Sequence, residues 1–111
     1  MQKTALFSFT QVATAIIAAG RFVGLMTGAH CAAGAKALGV SQAPAAVGDA
    51  FAVDVHGSTI VEAGGAIAAG GPIKSDANGK AIAQGGAGEI LGYAVTAATA
   101  DGQKIEAILT F

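Results

Sequence analysis

The sequence contains one pattern twice, and such a repeat predicts a fold built from two similar halves. Each copy opens with a Leu-Gly pair, passes through an alanine-rich connector to a second glycine, and ends in a short apolar run. The opening glycines, Gly39 and Gly92, are 53 residues apart, whereas the second pair, Gly48 and Gly102, is 54 residues apart. The second copy therefore has one additional residue in its connector.

Upstream segments extend the same correspondence. Residues 15–20 read Ala-Ile-Ile-Ala-Ala-Gly, and residues 66–71 read Ala-Ile-Ala-Ala-Gly-Gly. At 111 residues the chain has the length of a single domain. We therefore predict one β domain at residues 15–111 that contains an internal repeat over about residues 15–55 and 66–109.

Alternation of apolar and polar residues predicts strands rather than helices. Phe51, Val53 and Val55 alternate with Ala52 and Asp54, as in a strand with one buried face. Short runs of this kind, separated by glycine-rich turns, predict an all-β fold, either a small β-sandwich or a barrel. The predicted strands are residues 3–9, 12–17, 21–26, 37–41, 51–55, 59–63, 73–75, 80–84, 89–96 and 103–111.

Two of the connections are predicted as specific turns. Residues 56–58, His-Gly-Ser, are expected to form a hairpin between the flanking strands, and residues 76–79, Asp-Ala-Asn-Gly, a tight turn. The alanine-rich connectors, residues 43–47 and 97–100, each have room for one helical turn.

The composition favours an assembled protein over an isolated one. Charged residues make up 12% of the chain, against about 25% in ordinary soluble domains, while hydrophobic residues make up 53%. So little charge favours burial of part of the surface in an oligomer or a larger assembly. Lys and Arg occur singly and the net charge is −1, which argues against nucleic-acid binding. No apolar run approaches the ~20 residues of a membrane span.

No set of reactive residues converges in the sequence. Cys31 is the single cysteine, which excludes an internal disulfide, and it is expected to be a small buried apolar residue. Asp54 and His56 would share one face of a strand, but the sequence offers no obvious third metal ligand. The Gly-Lys pair at residues 79–80 is followed by alanine, where a phosphate-binding loop needs Ser or Thr. We predict no catalytic, cofactor-binding or metal-binding residue and no enzymatic activity.

Five segments rich in small residues occur along the chain, at residues 18–24, 35–40, 45–49, 91–94 and 102–106. Taken in order, they resemble those of a known family, the capsid decoration, or cement, proteins of tailed phages and prophages. The resemblance covers roughly residues 15–111 and depends on the pattern of small residues rather than on polar ones.

The resemblance implies a β-rich structural protein without catalytic residues. Such a protein, made in the host cytoplasm, is added to the outer surface of the virion capsid, where it clamps neighbouring subunits of the major capsid protein. The family also implies a homo-oligomer. A trimer is favoured because decoration proteins often occupy local three-fold positions, and a dimer across two-fold positions is the alternative.

The N-terminal residues 1–14 lie outside this resemblance. Their apolar start loosely imitates a secretion signal, but Ser8, Thr10 and Gln11 interrupt it. We expect either an extended arm that adds a strand to a sheet of a neighbouring subunit or the first strand of the domain itself. The candidate residues for contact with the capsid or another subunit are Thr4, Ala5, Leu6, Phe7, Ser8 and Phe9.

A second functional hypothesis gives the N-terminus a different role. If it acts as a secretion signal, the chain is a secreted or surface β-rich interaction domain, again without catalytic activity.

Overall fold

The computed structural model describes the backbone of residues 4–110 and the side chains from Ser8 to Thr110. Over this range it contains eight strands and no helix, which confirms the all-β prediction. The alanine-rich connectors form bends, turns and isolated bridges instead of helical turns. The strands are β1 (Thr4–Val12), β2 (Phe22–Gly24), β3 (Ala37–Ser41), β4 (Ala50–Glu62), β5 (Pro72–Ser75), β6 (Ala81–Ala83), β7 (Gly92–Ala94) and β8 (Lys104–Leu109).

All of these strands belong to one antiparallel sheet that curls into a nearly closed barrel. The order is β2-β3-β4-β8-β7-β5-β6, with β1 paired to β4 outside this path. The two ends of the order meet where the Phe22 amide donates to the Gly79 carbonyl at 2.7 Å. A parallel bridge between Ala63 and Ala81 also joins the end of β4 to β6. Of the two predicted architectures, the barrel is therefore the observed one.

An ionic cluster reinforces this closure. Glu62 accepts a hydrogen bond from Arg21 Nε at 3.1 Å and lies 3.5 Å from the Nζ atoms of Lys80 and Lys104. Burial alone would raise the pKa of Glu62. The hydrogen bond from Arg21 and the charges of Arg21, Lys104 and Lys80 outweigh burial and hold that pKa below its ordinary value. Cations that are far apart in the sequence thus meet around one carboxylate at the barrel seam.

The main error of the sequence prediction concerns residues 56–58. They form no hairpin, because β4 continues through them as a single strand of 13 residues. The first part of β4 pairs with β1 and its second part with β8, so the strand has ladder partners along its whole length. Gly57, with a φ of 96°, lies opposite the register shifts in β1, where it accommodates an irregularity rather than a reversal. Residues 59–63 consequently extend β4 instead of returning along it.

Elsewhere the predicted strands are mostly well placed. Those at residues 21–26, 80–84, 89–96 and 103–111 are too long, whereas the first is too short because β1 runs to Val12. Residues 37–41 are β3 as predicted, and residues 76–79 form the predicted turn, in which the Gly79 amide donates to the Asp76 carbonyl at 3.3 Å. The strand predicted at residues 12–17 is wrong. Residue 13 exchanges hydrogen bonds with the turn at residues 48–49 instead of extending a ladder.

The buried side chains form two clusters. The larger fills the barrel. The smaller includes Val23, which follows the barrel residue Phe22 on β2, and Leu38, which lies at the register shift between β2 and β3. Every member of the smaller cluster has a counterpart in the larger one, at an offset of 50 to 54 residues. The pairs are Ala13 and Ala63, Ile17 and Ile67, Val23 and Ile73, Leu38 and Leu91, Ala45 and Ala98, Phe51 and Ile105, and Val53 and Ala107.

The Leu-Gly pairs have the same geometric role in both halves. A Cβ at Gly39 would collide with the Asp54 carbonyl oxygen, and a Cβ at Gly92 would collide with the Ile108 carbonyl oxygen. These glycines therefore allow one strand to approach the next closely. The upstream alignment shifts by one residue, since Ile17 rather than Ile16 matches Ile67: each forms the isolated bridge of its half, to Ala45 and Ala98 respectively.

Candidate interaction surfaces

The contact residues predicted from the sequence, residues 4–9, lie in β1, which pairs with β4 of the same chain. Ser8 lies opposite Asp54 in the ladder, and Phe9 lies opposite Val53. The Phe9 side chain is 37% exposed although Val53 beside it is completely buried. Residues 4–9 are thus part of the sheet in this chain, and their contact with another subunit remains a prediction.

A buried carboxylate holds β1 in place. Asp54 has no exposed surface and accepts hydrogen bonds from Thr59 Oγ1 at 2.7 Å and from Gln42 Nε2. Gln42 Nε2 also donates to Ser8 Oγ at 2.9 Å, and Ser8 Oγ lies 3.4 Å from Asp54 Oδ1. Because an unpartnered buried carboxylate is very costly, these donors make the position of β1 specific.

The outer edge of β1 is a strand edge without a ladder partner among residues 4–110. Residues 53 and 54 of β4 pair with β3 on one side and with β1 on the other. Among the described residues, β1 pairs with β4 alone and is therefore an edge strand of the sheet. An uncovered edge presents main-chain N–H and C=O groups to whatever lies beside it. Exposed polar side chains, such as Thr10, accompany this edge.

A second surface is the outer face of the second half, which we define by Tyr93, Val95 and Ile108. Tyr93 and Ile108 lie directly opposite each other on β7 and β8, so their side chains share one face. The exposed fractions of these side chains are 43%, 42% and 49% respectively. The three side chains form a small exposed apolar patch.

A third surface, the turn patch, is carried by Val12, Leu25, Met26 and Val47. All four are exposed. The segments that bear them are joined where the Thr14 amide donates to Gly28 and where residue 13 bonds to residues 48 and 49. The Gln11 amide also reaches Met26 Sδ at 3.5 Å. The turn patch therefore brings together apolar residues that are far apart in the sequence, which is why no sequence signal reveals it.

An open cleft of about 380 Å³ lies beside the buried carboxylate. Its lining is mainly apolar and includes Gln42, Thr59, Ile60 and Lys104. Within the described part of the chain, no group of three or more His, Cys, Asp or Glu residues is placed to hold a metal ion. The same residues include no helix long and apolar enough to cross a membrane.

The other side chains considered as possible reactive groups are either in different environments or buried in the fold. Asp54 is buried while His56 is exposed, so the two do not form a pair of ligands in one environment. His30 Nε2 accepts a hydrogen bond from the Ala18 amide at 3.0 Å, and burial, together with the charge of Arg21, lowers the pKa of His30. Cys31 is buried in the barrel core, and burial raises the pKa of its thiol although a hydrogen bond to Ser75 partly opposes this.

Comparison with known proteins shows the family and a similar fold. A family model described as phage cement protein matches residues 1–109, including the N-terminal residues that the sequence resemblance left out. Among solved structures, the chain is similar to the N base of the head fiber gp8.5 in bacteriophage phi29, with 24% sequence identity and a TM-score of 0.79. That match covers 94% of this chain and 93% of the other. At this identity the likeness concerns the fold. No curated protein matches significantly.

Proposed function

Because this chain belongs to the phage cement protein family and is a structural component of the outer capsid surface, we propose that it clamps neighbouring subunits of the major capsid protein. Membership of this family also argues against the alternative hypothesis of a secreted or surface interaction domain. The observation that carries the proposal is the uncovered edge of β1 on an otherwise nearly closed barrel.

The edge of β1 is suited to a partner that supplies a strand. Main-chain hydrogen bonds along such an edge give affinity without requiring particular side chains. Ser8 of β1 is hydrogen-bonded to Gln42 and to Asp54 of β4, which attaches β1 to the sheet. An edge that is already paired in a sheet loses less conformational freedom on binding than a disordered segment, and so more of the contact energy appears as affinity. Residues 4–9 are thus our candidate contact with the major capsid protein.

The chain acts without catalysis. Its buried polar groups have structural partners: Asp54 accepts hydrogen bonds from Thr59 and from Ser8 of β1, and Glu62 pairs with the cations at the seam. The cleft beside them is lined by one charged residue, Lys104, and no nucleophile and base converge on it among the described residues. We favour a homotrimer at local three-fold positions of the shell, with a dimer as the alternative.

Binding to undecorated heads tests this function. Purified protein mixed with expanded heads at micromolar concentration is expected to pellet with them, and protein that stays in the supernatant would reject the proposal. The double variant Phe9→Lys and Thr10→Lys places two charges along the β1 edge. We expect its affinity for heads to fall by at least about tenfold, equivalent to ~1.4 kcal/mol, because charged side chains discourage strand addition.

The matched control adds the same charge elsewhere. Ala97 and Ala100 are exposed in the second alanine-rich connector, and the double variant Ala97→Lys and Ala100→Lys should bind heads as the wild type does. If both double variants lose affinity equally, the effect comes from net charge and the β1 edge is not the contact. Circular dichroism and thermal unfolding of each variant show whether the fold is retained.

A further inference from the structure

We propose that Asn78 and Gly79 form a site of spontaneous chemical modification, at which the Asn78 side chain loses ammonia and residue 78 becomes aspartate or isoaspartate. The isoaspartate form lengthens the backbone at the seam of the barrel and weakens its closure. This change goes beyond the proposed function, because it alters the chain with time whether or not a capsid is present.

The reaction needs a side-chain amide next to a main-chain nitrogen that can reach it. The Gly79 nitrogen gives up its proton to solvent base and attacks Asn78 Cγ. A bond forms between these two atoms, the bond from Cγ to Nδ2 breaks, and ammonia leaves a cyclic succinimide. Water then opens the ring: addition at Cγ gives aspartate, and addition at the main-chain carbonyl carbon gives isoaspartate. Water is the only other reactant, and no atom is oxidised or reduced.

The turn at residues 76–79 leaves both reacting groups available. Asn78 is the single asparagine of the chain, and it is exposed. Its main-chain N–H donates to Asp76 Oδ1 at 2.8 Å, whereas its side-chain amide has no hydrogen-bond partner within the described part of the chain. The Gly79 N–H makes only a long hydrogen bond, 3.3 Å, to the Asp76 carbonyl. Glycine also has no side chain that would shield its nitrogen.

The sequence contains one further pair that could react in this way, Asp101 and Gly102, and there both groups are engaged. Asp101 accepts a hydrogen bond from Lys80 Nζ at 2.9 Å, and this bond, with the charge of Lys80, lowers the pKa of Asp101. An ionised carboxylate resists attack by a nucleophile. The Gly102 N–H donates to the Ala63 carbonyl at 2.8 Å. Modification is therefore expected at Asn78 and not at Asp101.

Both residues of the reactive pair are bonded across the seam to the start of β2. The Asn78 carbonyl accepts a hydrogen bond from Arg21 Nη1 at 3.2 Å, and the Gly79 carbonyl accepts one from the Phe22 amide at 2.7 Å. Isoaspartate inserts one carbon atom into the main chain between these two acceptors and converts the Asn78 carbonyl into a free carboxylate. The spacing that satisfies both hydrogen bonds is then lost, so the modification loosens the seam.

The first half shows that this kind of turn requires the glycine but not the asparagine. Gly28 and Gly79 have φ values of 70° and 78°, and a Cβ at either would collide with a main-chain carbonyl oxygen. The residue before Gly28 is Thr27, which has no side-chain amide and cannot form a succinimide. Threonine thus precedes a glycine of the same geometry elsewhere in the chain, which makes Asn78→Thr the matched variant.

The experiment follows folded wild type and Asn78→Thr during storage in mildly alkaline buffer, which favours loss of the Gly79 proton. Peptide mapping by mass spectrometry detects the replacement of the amide by a carboxyl group, and chromatography separates isoaspartate from aspartate. We expect both products to accumulate at residue 78 of the wild type and no isoaspartate at residue 101 of either protein. The thermal midpoint of stored wild type should fall by roughly 4 °C or more, as for the loss of about one buried hydrogen bond, whereas that of Asn78→Thr should not change.

Wild type unfolded in guanidinium chloride is the positive control for the chemistry. If it is modified while the folded protein is not, the turn protects Asn78 and the proposal is overturned. Modification of the folded protein without a fall in its thermal midpoint would overturn the effect on the seam. The modification itself is measured on the wild type and needs no variant, and Asn78→Ser replaces Asn78→Thr if the latter does not fold.

A further variant separates the added charge from the lengthened backbone. Asn78→Asp carries the charge of the product on an ordinary main chain, and before storage it should unfold like fresh wild type. A midpoint as low as that of stored wild type would assign the loss to charge and overturn the role of isoaspartate.

Discussion

The two halves of this protein place corresponding residues in opposite environments. Val40 on β3 is completely buried, whereas Tyr93, its counterpart on β7, is 43% exposed. Both residues occupy the same position relative to a Leu-Gly pair and to the neighbouring strand. The difference shows that the position of a residue within the repeat determines how its strand pairs. Whether its side chain is buried depends on whether the other half packs against it.

The repeated glycines, in contrast, have the same environment in both halves. Gly39 and Gly92 are both buried and both face the carbonyl oxygen of the next strand. This requirement arises inside each half, from two adjacent strands, and so it survives in both copies. Features local to one half are therefore repeated, and features that depend on contact between halves are not.

The largest expected effect tests whether corresponding faces of the two halves are buried to different extents. Phe22→Ala removes a completely buried ring from the barrel core and is expected to lower the free energy of unfolding by about 3–5 kcal/mol. Pro72→Ala, at the corresponding position of the second half, should cost less than about 1 kcal/mol because Pro72 is only partly buried. Urea unfolding of both variants measures the difference. Equal losses would show that the two faces are buried alike.

A second prediction concerns what the halves share. Gly39→Ala and Gly92→Ala each place a methyl group against a backbone carbonyl, and each should lower the free energy of unfolding by about 1–3 kcal/mol. Gly65→Ala is the control, because nothing lies within 4 Å of a Cβ built there. Chemical denaturation compares the three variants. A large loss at only one of the two repeated glycines would contradict the common geometric role of the Leu-Gly pairs.

The smallest expected effect concerns the seam that joins the halves. The pKa of Glu62 is lowered in the folded chain, so its contribution to stability is fully present above its unfolded value of about 4.3 and is lost as the pH falls through the folded pKa. Glu62→Gln removes this dependence, so its unfolding free energy should change less steeply with pH below about pH 4.3 than that of the wild type.

The control for the seam is a carboxylate outside it. Glu89→Gln alters an exposed residue in the loop before β7 and should retain the acid dependence of the wild type. Denaturation midpoints between neutral and acidic pH provide the measurement. A Glu62→Gln profile parallel to that of the wild type would mean that the cations around Glu62 do not stabilise the seam.

Much of the architecture could be predicted because it depends on local patterns. The alternation around Phe51 and Val53 correctly predicts a strand, although Asp54 on its other face is buried as well, and the Asp-Ala-Asn-Gly segment before Lys80 correctly predicts a turn. The hairpin predicted at residues 56–58 failed because a glycine with positive φ suits a bulge as well as a reversal. Only the presence of β1 and β8 along β4 determines which of the two forms.

The candidate surfaces were less accessible to prediction. The segment at residues 4–9 was identified because it is apolar and precedes the repeat. The turn patch and the Glu62 cluster depend on residues such as Met26, Lys80 and Lys104, whose neighbours are set by chain closure. Cations that occur singly in the sequence gave no indication that three of them meet.

By itself, the sequence determined the all-β class and the turn at residues 76–79, because each of these follows from patterns among residues that are near in sequence. Its scarcity of charge also indicated a protein that works in an assembly. Only the tertiary structure decided that the sheet closes as a barrel, that Phe22 and Val40 are buried against the second half, and that Tyr93 and Ile108 are exposed. Those outcomes depend on tertiary contacts between segments that are far apart in the sequence, and these contacts determine burial more than the residue type does.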